Sequence, residues 1–165
     1  MKQDEILTVI GEINESQRVL TQIHKLYLSY QAAFTDIEAR DLRDAVLLAE
    51  LMCNTYTCIE TVFLRISRLF ENSLDPQQWH KELLQKMRLE IPRIRQAVLS
   101  PQSYQLLDEL RRFRHFRRYY YDFDYDWSRL DYLRGIYEKL FPLIQQQLND
   151  YSVFLDQLAA PDFEP

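Results

Sequence analysis

From Arg111 to Arg118 the chain reads RRFRHFRR, five arginines and one histidine in eight residues, and YYYDFDYDW follows directly from Tyr119 to Trp127. Guanidinium groups fork onto phosphate oxygens, aromatic rings stack on bases, and an imidazole moves protons near neutral pH. Such a set suits recognition of a phosphodiester and acid or base work upon it. The same run also fits a solvated face whose arginines are neutralised by Asp122, Asp124, Asp126 and an acidic body. On a helix counted at 100° steps, Arg111, Arg118 and Tyr121 fall within about 60° of Arg114, while Leu106, Leu110, Phe113 and Tyr120 share the neighbouring, core-facing side. Arginines at i, i+3 and i+7 repel one another without a counter-charge. His115 and Tyr119 lie beside the stripe, and Arg112, at about 160°, faces away from it. The charge pattern by itself leaves both readings open.

Glu60 is a second irregularity. It points into an apolar arc of its helix among Cys53, Tyr56, Phe63 and Leu64. A carboxylate buried there without a partner costs several kcal/mol or takes up a proton. An arginine of the fourth helix is the natural partner; the alternative is a side chain that reaches past its neighbours to solvent.

The elements that must position these groups are helices. Gly11 and Gly135 are the only glycines in 165 residues, too few for tight hairpins, a phosphate-cradling P-loop or a dinucleotide-binding turn. The fold class expected is therefore all-α, a bundle of four to five helices with two long antiparallel ones at its centre. Ile6, Ile10, Ile13, Leu20, Ile23, Tyr27, Tyr30 and Phe34 line one face of a first helix. A second, from about Asp36 to Phe70, carries Val46, Met52, Tyr56, Ile59, Val62, Phe63, Ile66 and Phe70. Asp75 and Pro76 signal the start of a third, and an irregular connection surrounds Pro92. Ser100 as cap and Pro101 at the first turn begin a fourth, running to about Tyr121. The last spans about Trp127 to Leu158, with a kink expected at Pro142. Residues 1–158 read as one domain and residues 159–165 as an irregular tail.

Net charge is −5, and the arginines of the 111–118 segment contribute +5, so the rest of the chain sums to about −10. A basic stripe on an acidic body fits one placed anionic ligand better than a general nucleic-acid coat. Cys53 and Cys58, about 140° apart on one helix, cannot bridge to each other, and isolated thiols fit a reducing compartment. With no apolar leader and no window of about 18 apolar residues, a cytoplasmic location and no membrane partner are expected. His24 and His80 read as polar surface residues. Neither they nor His115 share a spacing with the cysteines that would suit zinc, so no metal or other cofactor is expected.

The runs WHKELLQKM, IPRIRQAVLS and LDELRRFRHFRRYYYDFDYDW resemble the HepT-like branch of the HEPN superfamily, small helical ribonuclease toxins of prokaryotes. Members carry an arginine, a polar residue, three further residues, a histidine, any residue and a tyrosine near a helix end. Arg114 matches the motif arginine, His115 the polar residue and Tyr121 the tyrosine, whereas the motif histidine falls on Tyr119. The resemblance implies a HEPN-type bundle and a homodimer whose motif helices face each other across an RNA-cleaving cleft that needs no metal. It implies a catalytic role for Arg114 and for the position of Tyr119; the helical wheel adds His115, about 40° from Tyr119, as the other proton-transfer candidate, Arg111 and Arg118 of the stripe as phosphate ligands, and Glu60 of the second helix as a support for Arg114. The resemblance also implies a partner, a minimal nucleotidyltransferase antitoxin that transfers AMP to Tyr121, with tRNA as the RNA by family analogy. Tyr119 raises a second possibility, a catalytically degenerate protein that binds the nucleotidyltransferase or RNA.

Overall fold

The computed structural model describes residues 3–70, 79–92, 94–119 and 123–160. Five helices follow one another: α1 (Gln3–Thr35), α2 (Leu42–Phe70), α3 (Trp79–Arg88), α4 (Pro101–Tyr119) and α5 (Trp127–Ala159). The all-α bundle expected from the scarcity of glycine is thus observed. In α1, Ile6, Ile13, Leu20, Tyr27 and Phe34 are all buried; their seven-residue spacing keeps one seam against neighbouring helices along the whole length. Tyr30 departs from the expected seam: it is exposed and only leans its ring on Phe34.

α2 lies at the centre, packed against α1, α3, α4 and α5. It runs antiparallel to α1, with the Cys58 thiol facing Ser16 O at 3.6 Å and Arg65 facing Glu12 at 3.4 Å. It also contains a stretch long and apolar enough, by length and composition, to cross a membrane, which corrects the expectation that no such window exists. Much of that stretch is buried against the other helices.

α2 starts later than expected. Asp36 Oδ1 accepts from the amides of Glu38 and Ala39, each at 3.2 Å, so it closes a turn of its own and does not open the helix. Asp41 and Asp44 cap each other reciprocally instead: Asp41 Oδ1 accepts from Asp44 N at 3.3 Å, and Asp44 Oδ2 from Asp41 N at 3.0 Å. Arg40 fastens this corner to α5 through both oxygens of Asp131, at 3.0 and 2.9 Å, and lies over the Trp127 ring at 4.2 Å. The start signal at Asp75 and Pro76, and the tail beyond residue 160, lie outside the described residues. The connection around Pro92 is irregular as expected, and an antiparallel bridge joins Ile91 and Arg95. α5 continues as one helix through Pro142.

α1 and α5 bury polar rings between them. His24 does not sit as a surface residue: its Nδ1 lies 2.9 Å from the Tyr137 hydroxyl and its ring stacks on Phe141 at 3.8 Å. Burial holds its imidazole below the ordinary histidine range. Tyr27 donates to Glu138, and burial, with Glu138 adding to it, pushes the Tyr27 phenol from 10.0 to about 12. Burial also raises Tyr56 and Tyr137. These phenols ionise more readily unfolded than folded, so the stability they contribute is whole below the unfolded value of 10.0 and is lost as pH rises through about 12. The denaturation midpoint should therefore hold up to about pH 10 and drop as pH rises from there toward about 12, with part of the tyrosinate absorbance appearing only as the fold is lost. All eleven tyrosines titrating together near the free value would count against this burial.

Candidate functional site

The arginine segment lies on the second half of α4. Ser100 fixes the start of that helix as expected, accepting from Ser103 N at 3.1 Å. Gln147 of α5 steadies the same end by donating to Ser103 Oγ at 2.9 Å. Leu107, Leu110 and Phe113 are buried, and this apolar line turns the next strip of α4 toward α2. The two helices run antiparallel, so arginines met in order along α4 find partners in reverse order along α2.

Arg114 is held by three groups of α2. Its Nε donates to Thr57 Oγ1 at 2.9 Å, its Nη1 lies 3.4 Å from Glu60 Oε2, and its guanidinium rests 5.7 Å from the centre of the Tyr56 ring. Glu60 is only 5% exposed, so the expected buried carboxylate and its arginine partner are both present. Two further groups complete its coordination. Tyr56 Oη donates to Glu60 Oε1 at 2.9 Å, and His80 Nδ1 of α3 meets the same oxygen. Burial, reinforced by the charge of Glu60, raises the Tyr56 phenol and keeps it a donor. His80 is thus not a surface residue as expected but part of the site.

The remaining arginines that are paired draw their counter-charges from the acidic body, one of the two expected sources. Asp108, one turn earlier on α4, accepts from Arg111 Nε at 2.7 Å and pairs with Arg112 Nη2 at 2.8 Å. Arg117 pairs with Glu50 of α2 at 2.6 Å and donates to the Tyr125 hydroxyl at 3.0 Å. Partial burial works against its charge, but its bonds to Cys53, Glu50 and Tyr125 outweigh this and hold Arg117 above the ordinary arginine value. Asp126, expected to neutralise arginines, caps α5 by accepting from Ser128 N at 2.9 Å; Asp122 lies outside the described residues. Arg118 is exposed and has no ion-pair partner among the described residues.

Arg114, Arg117 and Arg118 surround, with Cys53, an open depression of about 300 Å³. Burial pushes the Cys53 thiol up, so it contributes a neutral wall and not a thiolate. Three guanidinium groups thus line one concavity, two of them held by carboxylates of α2, an arrangement chemically able to take an anion. Arg111, expected among the phosphate ligands, is mostly buried against Asp108, one turn from the depression. His115 is exposed on α4. Tyr119 ends α4 with its side chain outside the described residues, as is Tyr121. Among the described residues, no group of three or more His, Cys, Asp or Glu side chains is placed to hold a metal ion.

A family model described as HepT-like protein matches residues 45–155, from the first turn of α2 to near the end of α5. No curated protein and no solved structure matches the chain.

Proposed function

Since the chain belongs to the HepT-like protein family, we propose that it is a HEPN-type toxin that cleaves RNA at the arginine site of α4, in the cytoplasm and without a metal ion. The observation that carries this reading is Arg114, the residue matching the motif arginine, held by buried Glu60 at the edge of the depression it shares with Arg117 and Arg118. In such a reaction a ribose 2′-oxygen attacks the adjacent phosphorus, and guanidinium groups stabilise the charge that gathers on the phosphoryl oxygens. tRNA is the substrate class proposed. Two copies placed with their α4 helices face to face would join two arginine sites into one cleft, so the active form is a homodimer. The partner proposed is a minimal nucleotidyltransferase antitoxin. AMP transferred to Tyr121 would set a phosphate beside the arginine stripe and compete there with RNA.

One observation favours a second reading. Tyr119 stands where members carry the motif histidine, and a phenol of ordinary pKa near 10 is a poor base at neutral pH. A degenerate protein would bind RNA or the nucleotidyltransferase without cutting. Incubating the wild type and Tyr119→His with total tRNA in EDTA separates the two. Cleavage by the wild type supports the toxin reading. Cleavage by Tyr119→His alone supports the degenerate one, and cleavage by neither, or only with added metal, overturns the assignment. Light scattering that reports a monomer at micromolar concentration counts against the shared cleft.

A further inference from the structure

Arg117 falls among the unspecified positions of the motif, yet its side chain lines the depression together with Arg114 and Arg118. Its hold differs from that of Arg114. Nη1 pairs with Glu50 at 2.6 Å and Nε donates to the Tyr125 hydroxyl at 3.0 Å, so α2 fixes the guanidinium on one side and the residues just ahead of α5 fix it on another. A third bond goes to Cys53. A guanidinium carries five donors, and these bonds leave it others for an oxygen in the depression. Glu50 is half-exposed where Glu60 is buried, so the pair it makes is of the solvent-screened kind, which competes weakly with a phosphate.

The antiparallel register of α2 and α4 sets the two guanidinium groups apart. Thr57 and Glu60 hold Arg114, whereas Glu50 and Cys53 hold Arg117. Thr57 and Cys53 stand one turn apart on α2, with Thr57 Oγ1 donating to Cys53 O at 2.8 Å. One turn is about 6 Å along the axis, of the order of the step between consecutive phosphates on an extended single strand. Each guanidinium also keeps its own carboxylate, so the pair is spaced for two neighbouring phosphates rather than for one.

We propose that the depression takes two consecutive phosphates of one RNA strand, the scissile one at Arg114 and its neighbour at Arg117. The proposal rests on reading the depression as the RNA site. The Arg117 contact is the same before and during the reaction, so it lowers KM and leaves kcat to Arg114. Glu50 and Tyr125 are the positioning residues of this second contact.

Trinucleotides of 2′-O-methyl RNA test this, because they bind without reacting and either linkage can be made neutral as a methylphosphonate. The wild type should lose about ten-fold in affinity when either linkage is neutral, the scale of one charge-assisted hydrogen bond. Arg117→Ala should be indifferent to one linkage and Arg114→Ala to the other. Both variants indifferent to the same linkage would mean one shared phosphate, and Arg117→Ala sensitive to both would mean that Arg117 holds none; each result overturns the proposal. Should Arg117→Ala fail to fold, Arg117→Gln, whose amide still donates to Glu50, takes its place with the same expectation. This readout needs no cleavage. The crossed pattern in a wild type that cleaves no unmodified RNA removes the ribonuclease reading alone, cleavage without the crossed pattern sinks this proposal alone, and failure to bind any trinucleotide overturns both.

Discussion

Arg114→Ala is expected to lower RNA cleavage by about 10²- to 10³-fold, the loss that follows removal of one donor aimed at developing charge. Arg112→Ala, which removes the same formal charge two residues away, should change it by no more than about two-fold, the scale of an exposed ion pair. The contrast comes from what holds each side chain. Arg114 has its Nε on Thr57, its Nη1 on Glu60 and its face near Tyr56, so it waits at the depression in one orientation. Arg112 is 59% exposed and spends its charge on Asp108 and Glu109 of its own helix. Lysine at 114 should not restore activity, since an ammonium is a point charge and cannot bridge Thr57 and Glu60 as the fork does. Initial rates and affinities for one RNA, measured side by side, check this. Equal losses in the alanine variants would mean that the site works through bulk charge and not through placement.

Glu60→Ala is expected to destabilise the protein by about 3 kcal/mol, toward the lower end for a buried pair broken on one side because Arg114 retains some solvent. For a domain of this size that corresponds to a fall of about 6–12 °C in melting temperature. The change strands three partners at once: the Arg114 guanidinium, the His80 ring and the Tyr56 hydroxyl all lose the acceptor they share. Cleavage should fall with stability, because Arg114 is then free to turn away. Glu60→Gln keeps an acceptor for Tyr56 and should lose less stability, but not recover the rate, since a neutral amide does not attract the guanidinium. A melting temperature unchanged in Glu60→Ala would mean that the carboxylate is solvated and braces nothing.

Much of this was legible in the residues themselves. Two glycines, strong periodicity and paired cap signals at Ser100 and Pro101 carry enough local information to place helices, because each depends on neighbours within a turn or two. The Glu60 to Arg114 pair was legible for a different reason: a carboxylate in an apolar arc requires a distant cation, and only one helix offered a surplus. Asp108 was readable and overlooked, standing three and four residues before Arg111 and Arg112, where helix geometry alone makes a pair. His80 carried the same kind of signal, at i−3, i−4 and i−7 from Leu83, Leu84 and Met87, which places it on a packed face. That it meets Glu60, and that Glu50 takes Arg117, depends on how three helices cross, which no local spacing encodes. The late start of α2 was illegible because Asp36 serves equally well as a helix cap and as the side chain of a turn, and the choice is made by Asp41, Asp44 and the anchoring of Arg40 on α5.

The seam between α1 and α5 bears on the order in which the bundle assembles. Arg40 meets Asp131, Tyr27 meets Glu138, Gln17 meets Gln145 and Gln3 meets Ala159, across separations of 91, 111, 128 and 156 residues. Closing loops of that length costs about 4 kcal/mol of chain entropy, and the cost hardly differs from one end of the seam to the other, because it grows only with the logarithm of length. Once any one of these contacts forms, the others follow at little further expense. The hairpin of α1 and α2, joined by a short connection, carries no such cost. Loop entropy alone therefore favours contacts between sequence neighbours, such as the α1–α2 hairpin, ahead of the seam between α1 and α5.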